Sequence, residues 1–431
     1  MTYAAAVSYL YSLQKHGIKL GLDTMTALVA RLGMPQSRFP SLHIAGTNGK
    51  GSTAAMAAAM FQAAGYRVGL YTSPHLVEFV ERIRVSGRPI PESEIARLTG
   101  LVKGMSEPDL SPTFFEFTTA MAMQHFAESH VDVAVLEVGL GGRFDATNVV
   151  SPLACAITTI ALDHQQYLGN TLESVAFEKA GIIKQNVPVI LGRVTGEALD
   201  TIERIAVERN ATVLRLGRDF EVQGDSPARF NYAGSGVRYD DVFCPLLGAH
   251  QLDNAACALS LVETARRHRL AVNEEAIRQG LRNVQWEGRL EIVGRDPLTI
   301  LDGAHNPAAA QVLADHLQRL RVSNPVSRII LVLAMMRDKD HYGFVEPFKG
   351  LVNEVVLTQA DLKRSATADE LMPILGCTWP RARTNADVRG ALDAARQLAR
   401  PQDVICVTGS LMLIGEVKAL LRGCGLSRLR G

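Results

Sequence analysis

A glycine-rich run with a single lysine is the clearest chemical signal in the chain: Gly46-Thr47-Asn48-Gly49-Lys50-Gly51-Ser52. Glycines let backbone N–H groups approach a polyphosphate, and the N-terminus of a following helix favours negative charge. A lysine can neutralise phosphate oxygens, and a hydroxyl just after it can reach Mg²⁺. The run follows an apolar segment and precedes an alanine-rich one, so it predicts a phosphate loop between a strand and a helix.

The loop departs from the common Walker spacing G-x-x-x-x-G-K-[ST]. Ile44 stands where that pattern has its first glycine, and Gly51 separates Lys50 from Ser52. A chance Gly-Lys turn is the plain alternative. The strand and helix patterns on either side favour the phosphate loop.

Three further apolar runs are followed by polar residues that suit a metal ion. Ser73, Glu137 and His164 each stand at the end of such a run. In open α/β sheets, ligands bind at the carboxyl ends of strands. A hydroxyl, a carboxylate and an imidazole there could hold Mg²⁺. Taken singly, Glu137 could instead face a helix N-terminus, and His164 could be a core histidine.

Two glycines after Glu137 leave another interpretation open. The spacing Gly139-x-Gly141 is also found in dinucleotide-binding folds, but Phe144 stands where the third glycine is expected. The dinucleotide interpretation is therefore weak.

Aromatic side chains surround a carboxylate in the segment 112–117, Pro-Thr-Phe-Phe-Glu-Phe. A flat heterocycle needs a ring to stack on, and its amino edge needs an acceptor. The alternative is a helix start, with Thr113 as the cap and Glu116 three residues later in a capping box. Both interpretations can hold at once.

Short β-branched runs alternate with helical patterns, which predicts an α/β fold with parallel sheets. Between about residues 220 and 248 the pattern becomes that of a small antiparallel β insert. We predict an N-terminal P-loop ATPase-like domain over 1–284 that contains this insert, a linker over 285–296 and a smaller C-terminal Rossmann-like α/β domain over 297–431.

Composition limits the classes of function. The 431 residues are 47% hydrophobic and carry a formal net charge of +1, without the basic stripe of a nucleic-acid binder. The N-terminus has no basic segment before its short apolar stretch, so we expect no signal peptide there, and no apolar run approaches the ~20 residues of a membrane span. Six scattered cysteines without a C-x-x-C pair are typical of buried thiols in a reducing compartment. We expect a cytoplasmic monomer that binds neither nucleic acid nor membrane.

Five further motifs follow the phosphate loop in a specific order. They are S-P-H-L at 73–76, L-E-V-G-L-G-G-R-F-D-A-T-N at 136–148, D-H at 163–164, F-E-K-A-G-I at 177–182 and L-D-G-A-H-N-P at 301–307. The series resembles the Mur ligase superfamily, and specifically its folate branch, the dihydrofolate/folylpolyglutamate synthases. It extends over most of the chain and is far more specific than any single loop.

The resemblance implies a role for each candidate residue. Mg²⁺ ligands are expected at Ser73, Glu137 and His164, and catalytic residues at Lys50, Lys179 and His305, where Lys179 matches a lysine that the family carbamoylates. ATP contacts are expected at Thr47, Asn48, Gly49, Lys50, Gly51, Ser52, Asn254, Arg289 and Asp302. Dihydropteroate contacts are expected at Thr113, Phe114, Phe115, Glu116, Phe144 and Asp145, and glutamate contacts at Arg82, His305 and Ser410.

The same resemblance implies the reaction. ATP, two Mg²⁺ ions and a monovalent cation would support ligation of L-glutamate to dihydropteroate and to the γ-carboxylate of tetrahydrofolates through an acyl phosphate. Tail extension of tetrahydrofolates alone stays an alternative. A Mur ligase acting on a UDP-sugar is less favoured. Those enzymes place a nucleotide-sugar domain before the phosphate loop, and the roughly 45 residues before the loop here leave little room for one. A regulatory nucleotide switch leaves the second domain and the Lys179 segment without a role.

Overall fold

The computed structural model describes residues 1–17, 19–106, 109–226, 228–376, 379 and 381–424. The chain divides into two compact units. The first comprises Met1–Pro245 and His250–Gln285, and the second comprises Leu246–Ala249 and the described part of Trp286–Arg430.

The first unit is an α/β domain. Its helices are α1 (Tyr3–Ser12), α2 (Asp23–Arg31), α3 (Lys50–Ala63), α4 (Glu92–Ser106), α5 (Phe114–Glu128), α6 (Gln165–Leu168), α7 (Leu172–Ala180), α8 (Gly196–Glu208), α9 (His250–Ala265) and α10 (Glu274–Asn283). Its strands are β1 (Ser41–Ala45), β2 (Val68–Tyr71), β3 (Ile83–Val85), β4 (Arg88–Pro89), β5 (Val133–Glu137), β6 (Ala154–Ile157), β7 (Val189–Leu191), β8 (Val213–Arg215), β9 (Glu221–Ser226), β10 (Arg229–Ala233) and β11 (Arg238–Phe243).

The main sheet of this unit has the strand order β4-β3-β2-β5-β1-β6-β7-β8. The strands from β2 to β8 in that order pair in parallel, and β3 and β4 add an antiparallel edge. Every residue of β1, β5 and β6 is buried, because helices cover both faces of such a sheet. The chain leaves β1 toward β2 and leaves β6 toward β7, so the crevice where ligands bind is expected between the carboxyl ends of β1 and β6.

The predicted antiparallel insert is confirmed. Strands β9, β10 and β11 form a separate sheet in the order β11-β10-β9, and all of its pairs are antiparallel. Exposed and buried residues alternate along β10, as expected where one face is packed and the other is open to water.

The second unit is a smaller α/β domain. It contains β12 (Glu291–Arg295), β13 (Leu298–Leu301), α11 (Pro307–Ser323), β14 (Ile329–Leu333), α12 (His341–Val345), β15 (Glu354–Leu357), α13 (Ala368–Leu375), β16 (Ala382–Thr384), α14 (Val388–Leu398), β17 (Val404–Thr408) and α15 (Leu411–Leu421). Its sheet has the order β12-β13-β17-β14-β15-β16, parallel except for β12. The predicted α/β class with a parallel first sheet and a Rossmann-like second domain is confirmed.

Some predicted boundaries differ from the structure. Residues 291–295, inside the segment predicted as a linker, form β12, which pairs with β13 as an edge strand of the second sheet. This short stretch is polar and contains a glycine, so its sequence resembles a linker. An edge strand can have such a sequence because it needs apolar side chains at only a few positions. The helix after the phosphate loop begins at Lys50, inside the glycine-rich run.

The described cysteines, Cys155, Cys244, Cys257, Cys406 and Cys424, are all free thiols, and the first four are buried. Cys377 lies outside the described residues. No helix in the described ranges is both long enough and apolar enough to span a membrane.

Candidate active site

The phosphate loop leaves β1 at Gly46 and is tied to the residues that follow β6. The Thr47 amide donates to the Thr159 carbonyl over 2.8 Å, and the Asn48 amide donates to the Thr159 hydroxyl over 3.0 Å. Thr158 donates its hydroxyl to the Asn48 carbonyl over 2.6 Å. A Cβ at position 46 would lie 2.0 Å from the Thr158 hydroxyl oxygen, so this position requires glycine. The loop therefore lies at the β1/β6 crevice.

A second glycine, Gly49, caps helix α3 and lies against the predicted nucleotide contact Asn254. Gly49 has a φ of 86°, and a Cβ there would lie 2.3 Å from the Asn254 side-chain oxygen. Asn254 donates its amide nitrogen to Gln251, and the Gln251 amide nitrogen lies 3.4 Å from the Ser52 hydroxyl oxygen. The start of α9 thus closely supports the start of α3.

Two lysine amines meet at one carbonyl of the loop. Lys50 Nζ donates to the Gly46 carbonyl over 3.0 Å and lies 3.2 Å from the Thr47 carbonyl. Lys179 Nζ, from the end of α7, reaches the same Gly46 carbonyl over 3.1 Å. The two predicted catalytic lysines are therefore brought together at the phosphate loop.

Lys179 is buried, and this changes its acid–base chemistry. Burial and then the nearby Lys50 lower the pKa of Lys179 to about 7, although Asp163 and Asp145 act in the opposite direction. An ammonium group loses its hydration when it is buried and is repelled by a second ammonium group. Near neutral pH a large fraction of the Lys179 amines is therefore uncharged and nucleophilic.

The predicted metal ligands are only partly gathered. Strands β2 and β5 are neighbours, with Tyr71 opposite Leu136, so the Ser73 amide can donate to the Glu137 carboxylate over 3.0 Å. His164 follows β6, two strands away from β5, with a φ of 51°. The described part of the chain holds no group of three or more His, Cys, Asp or Glu side chains placed to share a metal.

The donor set nevertheless suits Mg²⁺. This ion is usually bound by one or two carboxylates, keeps several waters and takes further oxygens from substrate phosphates. Buried Glu137 lies on β5, the strand that pairs with β1 at Ile44, two residues before the phosphate loop. A hydroxyl and a carboxylate beside a phosphate loop are the ligands that such an ion prefers.

The aromatic segment begins helix α5 with the predicted capping box. Glu116 accepts the Thr113 amide over 2.7 Å, and Thr113 accepts the Glu116 amide over 3.2 Å. The Phe115 ring lies against Gly139, where a Cβ would come within 2.4 Å of it. Phe114 stacks on Tyr11 with ring centres 5.5 Å apart. The start of α5 thus carries an aromatic wall, Phe114 and Phe115, which packs on Tyr11 of α1 and on Gly139 of the loop after β5.

Asp145 orders the loop after β5. Its carboxylate accepts the Gly139 and Leu140 amides over 3.0 and 2.9 Å, and it accepts both the amide and the hydroxyl of Thr147. Burial raises the pKa of Asp145 above its usual value, and these bonds act against that rise. Its neighbour Phe144 lies under the Arg143 guanidinium, 4.2 Å from ring centre to Cζ.

In the second unit, candidate residues follow the adjacent strands β13 and β17. Asp302 accepts the Leu290 and Ala304 amides, each over 2.9 Å, and burial raises the pKa of this carboxyl. A Cβ at Gly303 would lie 2.5 Å from Arg289 Nη1, so Arg289 packs on that glycine.

Two further candidates lie at the same edge of the second sheet. The Nδ1 atom of His305 lies 2.8 Å from the Gly303 carbonyl oxygen and donates to it. Ser410 follows β17 and caps helix α15, since its hydroxyl accepts the Leu413 amide over 3.1 Å. The parallel pairing of β13 and β17 brings the two strand ends together.

Several residues at the first site were not predicted. Thr158 and Thr159 hold the phosphate loop, and Gln251 supports Asn254. The two threonines directly follow the apolar strand β6, so the strand-end pattern that predicted Ser73 could have found them. Gln251 carries no comparable signal in the sequence.

Two family descriptions match most of the chain. The Mur ligase middle domain matches residues 44–262, and the Mur ligase glutamate ligase domain matches residues 288–411. A Bacillus subtilis protein named dihydrofolate synthase/folylpolyglutamate synthase is 36% identical over 97% of this chain and 99% of its own length. The chain belongs to the dihydrofolate synthase/folylpolyglutamate synthase family.

Another relative in this family is longer. The Haloferax volcanii protein named probable bifunctional folylpolyglutamate synthase/dihydropteroate synthase is 39% identical over 97% of this chain. The chain spans about half (50%) of that protein's length.

Solved structures from the dihydrofolate synthase/folylpolyglutamate synthase family share the fold. Escherichia coli FolC in complex with DHPP and ADP is 35% identical, with a TM-score of 0.90 over 98% of each chain. A bifunctional folylpolyglutamate synthase/dihydrofolate synthase with Mn, AMPPNP and L-glutamate bound is 34% identical, with a TM-score of 0.88 over 98% of each chain.

Proposed function

We propose that the chain is an ATP-dependent ligase that joins L-glutamate to dihydropteroate, forming dihydrofolate, and to the γ-carboxylate of tetrahydrofolates. The observation that carries this function is the convergence of Lys50 and Lys179 on the Gly46 carbonyl of a phosphate loop. Family membership and the DHPP complex of the Escherichia coli relative support the folate substrate. The aromatic wall around Phe114 and Phe115 offers a stacking surface for the pterin ring.

Ligation needs an activated carboxylate, because a carboxylate is a poor electrophile. The γ-phosphoryl group of ATP moves to the substrate carboxylate, which gives ADP and an acyl phosphate. The α-amine of glutamate then attacks the carbonyl carbon, phosphate leaves, and the nitrogen loses a proton as the amide forms. Lys50 and the N-terminus of α3 stabilise the negative charge on the transferred phosphoryl group.

Ser73, Glu137 and His164 are the residues that would hold Mg²⁺. The relative with Mn, AMPPNP and L-glutamate bound supports the use of a divalent ion with the nucleotide. When bound, the ion would neutralise phosphate charge beside Lys50. The second Mg²⁺ ion, the monovalent cation, the monomeric state and the cytoplasmic location stay predictions of the sequence.

Lys179 is proposed to act as a carbamate. Its neutral amine adds to the carbon of CO2, and the nitrogen then loses a proton, which leaves an oxygen anion in place of a cation. The lowered pKa of Lys179 supports this reaction, because only the uncharged amine is nucleophilic. The change also removes the repulsion between the two ammonium groups at Gly46.

The remaining predicted contacts keep their proposed roles. In the first unit, Asn254 and residues 47–52 would bind ATP, and residues 113–116 with Phe144 and Asp145 would contact dihydropteroate. In the second unit, Arg289 and Asp302 would bind ATP, while His305 and Ser410 would contact glutamate. His305 follows β13, and Ser410 follows the adjacent strand β17 at the start of α15.

The test is incorporation of labelled glutamate by the purified chain with ATP and Mg²⁺, with dihydropteroate and tetrahydrofolate supplied separately. We expect label in both products and the loss of both in Lys50→Ala, since no other loop lysine replaces its charge. Label with tetrahydrofolate alone would reduce the function to tail extension. Full turnover by Lys50→Ala would exclude the phosphate-loop assignment.

A further inference from the structure

The turn that carries Arg289 has an unusual backbone. Gly288 has a φ of 69°, and Leu290, on the other side of Arg289, has a φ of 48°. The left-handed region suits glycine, but a leucine adopts it only at a cost in free energy. Such a conformation persists only where its surroundings fix it, and it is most frequent at functional sites. The contacts around this turn must therefore offset the strain at Leu290.

One side of the turn is bound to the end of strand β13. The Gly303 amide donates to the Gly288 carbonyl over 2.9 Å. The Leu290 amide donates to the Asp302 carboxylate over the same distance, 2.9 Å. Between these bonds Arg289 lies on Gly303, and its Nη1 atom donates to the Gly288 carbonyl over 3.0 Å. Burial raises the pKa of Asp302, and the charge of Arg289 acts against that rise, so the two side chains lie close together.

The other side of the turn is held by a carboxylate. The Oε2 atom of Glu291 accepts the Gly288 amide over 2.7 Å. Its second oxygen, Oε1, accepts a hydrogen bond from Lys418 of helix α15. Glu291 is the first residue of β12, so one side chain joins this strand to the turn and to the helix. Gly288 is consequently bound at both its amide and its carbonyl.

Lys418 is a buried ammonium group with two carboxylates around it. Only 5% of its surface is exposed, and its Nζ also lies 3.1 Å from Glu287. Arg422, which caps α15 one turn later, donates to both oxygens of Glu287 over 2.7 and 2.8 Å. Burial alone would raise the pKa of Glu287, but Lys418 and Arg422 hold it below its usual value. Two cations at the end of α15 therefore face two carboxylates of the segment 287–291.

This ion-pair network is better suited to fixing positions than to adding stability. A buried ion pair adds little net stability over a well-packed apolar pair, because both ions lose their hydration. Its charged hydrogen bonds are directional, and they fix the groups that they join. The groups joined here are Glu287, Glu291 and the Gly288 amide, all within two residues of Arg289.

We propose that Lys418 is a positioning residue for ATP binding, which acts through Glu287 and Glu291 on the turn that presents Arg289. The inference rests on the proposed function, in which Arg289 and Asp302 bind ATP. The donors of a guanidinium form a planar fork, so it binds phosphate oxygens best from one fixed orientation. Without Lys418 the two carboxylates repel each other, and the Glu291 bond to the turn loses its support. Arg289 then adopts orientations that do not meet the phosphate.

The experiment measures the Kd of the full chain for a non-hydrolysable ATP analogue with Mg²⁺ by calorimetry. We expect Arg289→Ala to raise Kd about 10- to 100-fold, the range for loss of a charged hydrogen bond. Lys418→Met should raise Kd about 10-fold, the lower end of that range, because the arginine is displaced rather than lost. An unchanged Kd in either variant overturns the proposal.

A double-mutant cycle tests whether Lys418 acts through the arginine. In the Arg289→Ala background, Lys418→Met should change Kd by less than about twofold, since the group that it positions is already gone. Equal fold-changes with and without Arg289 would mean that the two residues act independently, which overturns the proposal.

Arg328→Met is the matched control for lost stability. Arg328 precedes β14 and pairs with the buried Asp403 over 2.7 Å, so its loss breaks an ion pair of the same unit at the amino end of the sheet. We expect both Arg328→Met and Lys418→Met to lower the melting temperature, and only Lys418→Met to weaken binding of the analogue. An equal rise of Kd in the two variants would show that Lys418 acts through stability alone.

Conservative variants separate the charges of the network from their side-chain volume. Lys418→Arg keeps a cation for the two carboxylates, and Glu291→Gln keeps an oxygen that accepts the Gly288 amide. Each should bind the analogue more tightly than its apolar counterpart, Lys418→Met or Glu291→Leu, and equal affinities within both pairs would exclude positioning by these groups. Because the readout is nucleotide binding, failure to incorporate glutamate would contradict the proposed ligase without changing the result of this test.

Discussion

At the residue scale, Lys179 shows how burial prepares a side chain for chemistry. Its folded pKa of about 7 lies below the ordinary lysine value of 10.5, so the amine is protonated below about pH 7 and neutral above it. CO2 adds only to the neutral amine. At fixed dissolved CO2, we expect activity of CO2-depleted enzyme to recover more fully as pH rises through about 7. Glutamate incorporation after addition of bicarbonate measures this recovery.

Lys179→Arg is the matched control, because arginine keeps the charge and forms no carbamate under these conditions. Carbon-13 NMR with labelled bicarbonate should show a carbamate signal in wild type that this variant lacks. Recovery that is independent of both pH and bicarbonate would contradict the carbamate.

At the scale of elements, helix α5 begins with a capping box that also belongs to the aromatic wall. Loss of the Thr113 hydroxyl leaves the Glu116 amide without its acceptor. We expect Thr113→Ala to lower the free energy of unfolding by ~1 kcal/mol. Urea denaturation measures the loss, and we also expect KM for dihydropteroate to rise.

Helix α13 provides the comparison, since Thr367 and Glu370 form the same box outside the proposed site. Thr367→Ala should lose a similar amount of stability with KM for dihydropteroate unchanged. A raised KM in both variants would mean that stability alone, and not contact with the substrate, explains the effect of Thr113.

At the scale of the whole molecule, ligand binding should raise the thermal stability of the full chain. A ligand that binds only the folded state adds about 2.7 kcal/mol at a hundredfold excess over Kd. We expect a non-hydrolysable ATP analogue to raise the melting temperature more with Mg²⁺ than with a chelator. In Glu137→Gln the two shifts should become equal, because the proposed carboxylate ligand is lost. Thermal melting of the intact protein measures both shifts.

The control at this scale is Asp109→Asn, which removes an exposed carboxylate paired with Arg31. This variant should keep the Mg²⁺-dependent shift of wild type. If the ATP analogue still raises the melting temperature of Glu137→Gln more with Mg²⁺ than with a chelator, Glu137 is not part of the proposed metal site.

Much of the fold and of the first site could be predicted from local patterns. The phosphate loop, the capping box of α5 and the strands that precede Gly46 and Ser73 depend on short-range backbone chemistry, so spacing revealed them. The edge strand β12 was missed because an edge strand carries few apolar residues. Thr158 and Thr159 were missed because their partners lie in the phosphate loop, more than 100 positions earlier in the chain.

The sequence by itself therefore determined the kinds of elements, the phosphate loop and the family to which the chain belongs. Only the tertiary structure decided which side chains meet. Packing of helices against the sheet brings the Lys179 amine to a carbonyl 133 positions away and joins Tyr11 to His75 across 64 positions. The burial that lowers the pKa of Lys179 arises from such long-range packing. No local pattern encodes it, because burial is a property of the neighbours that folding supplies.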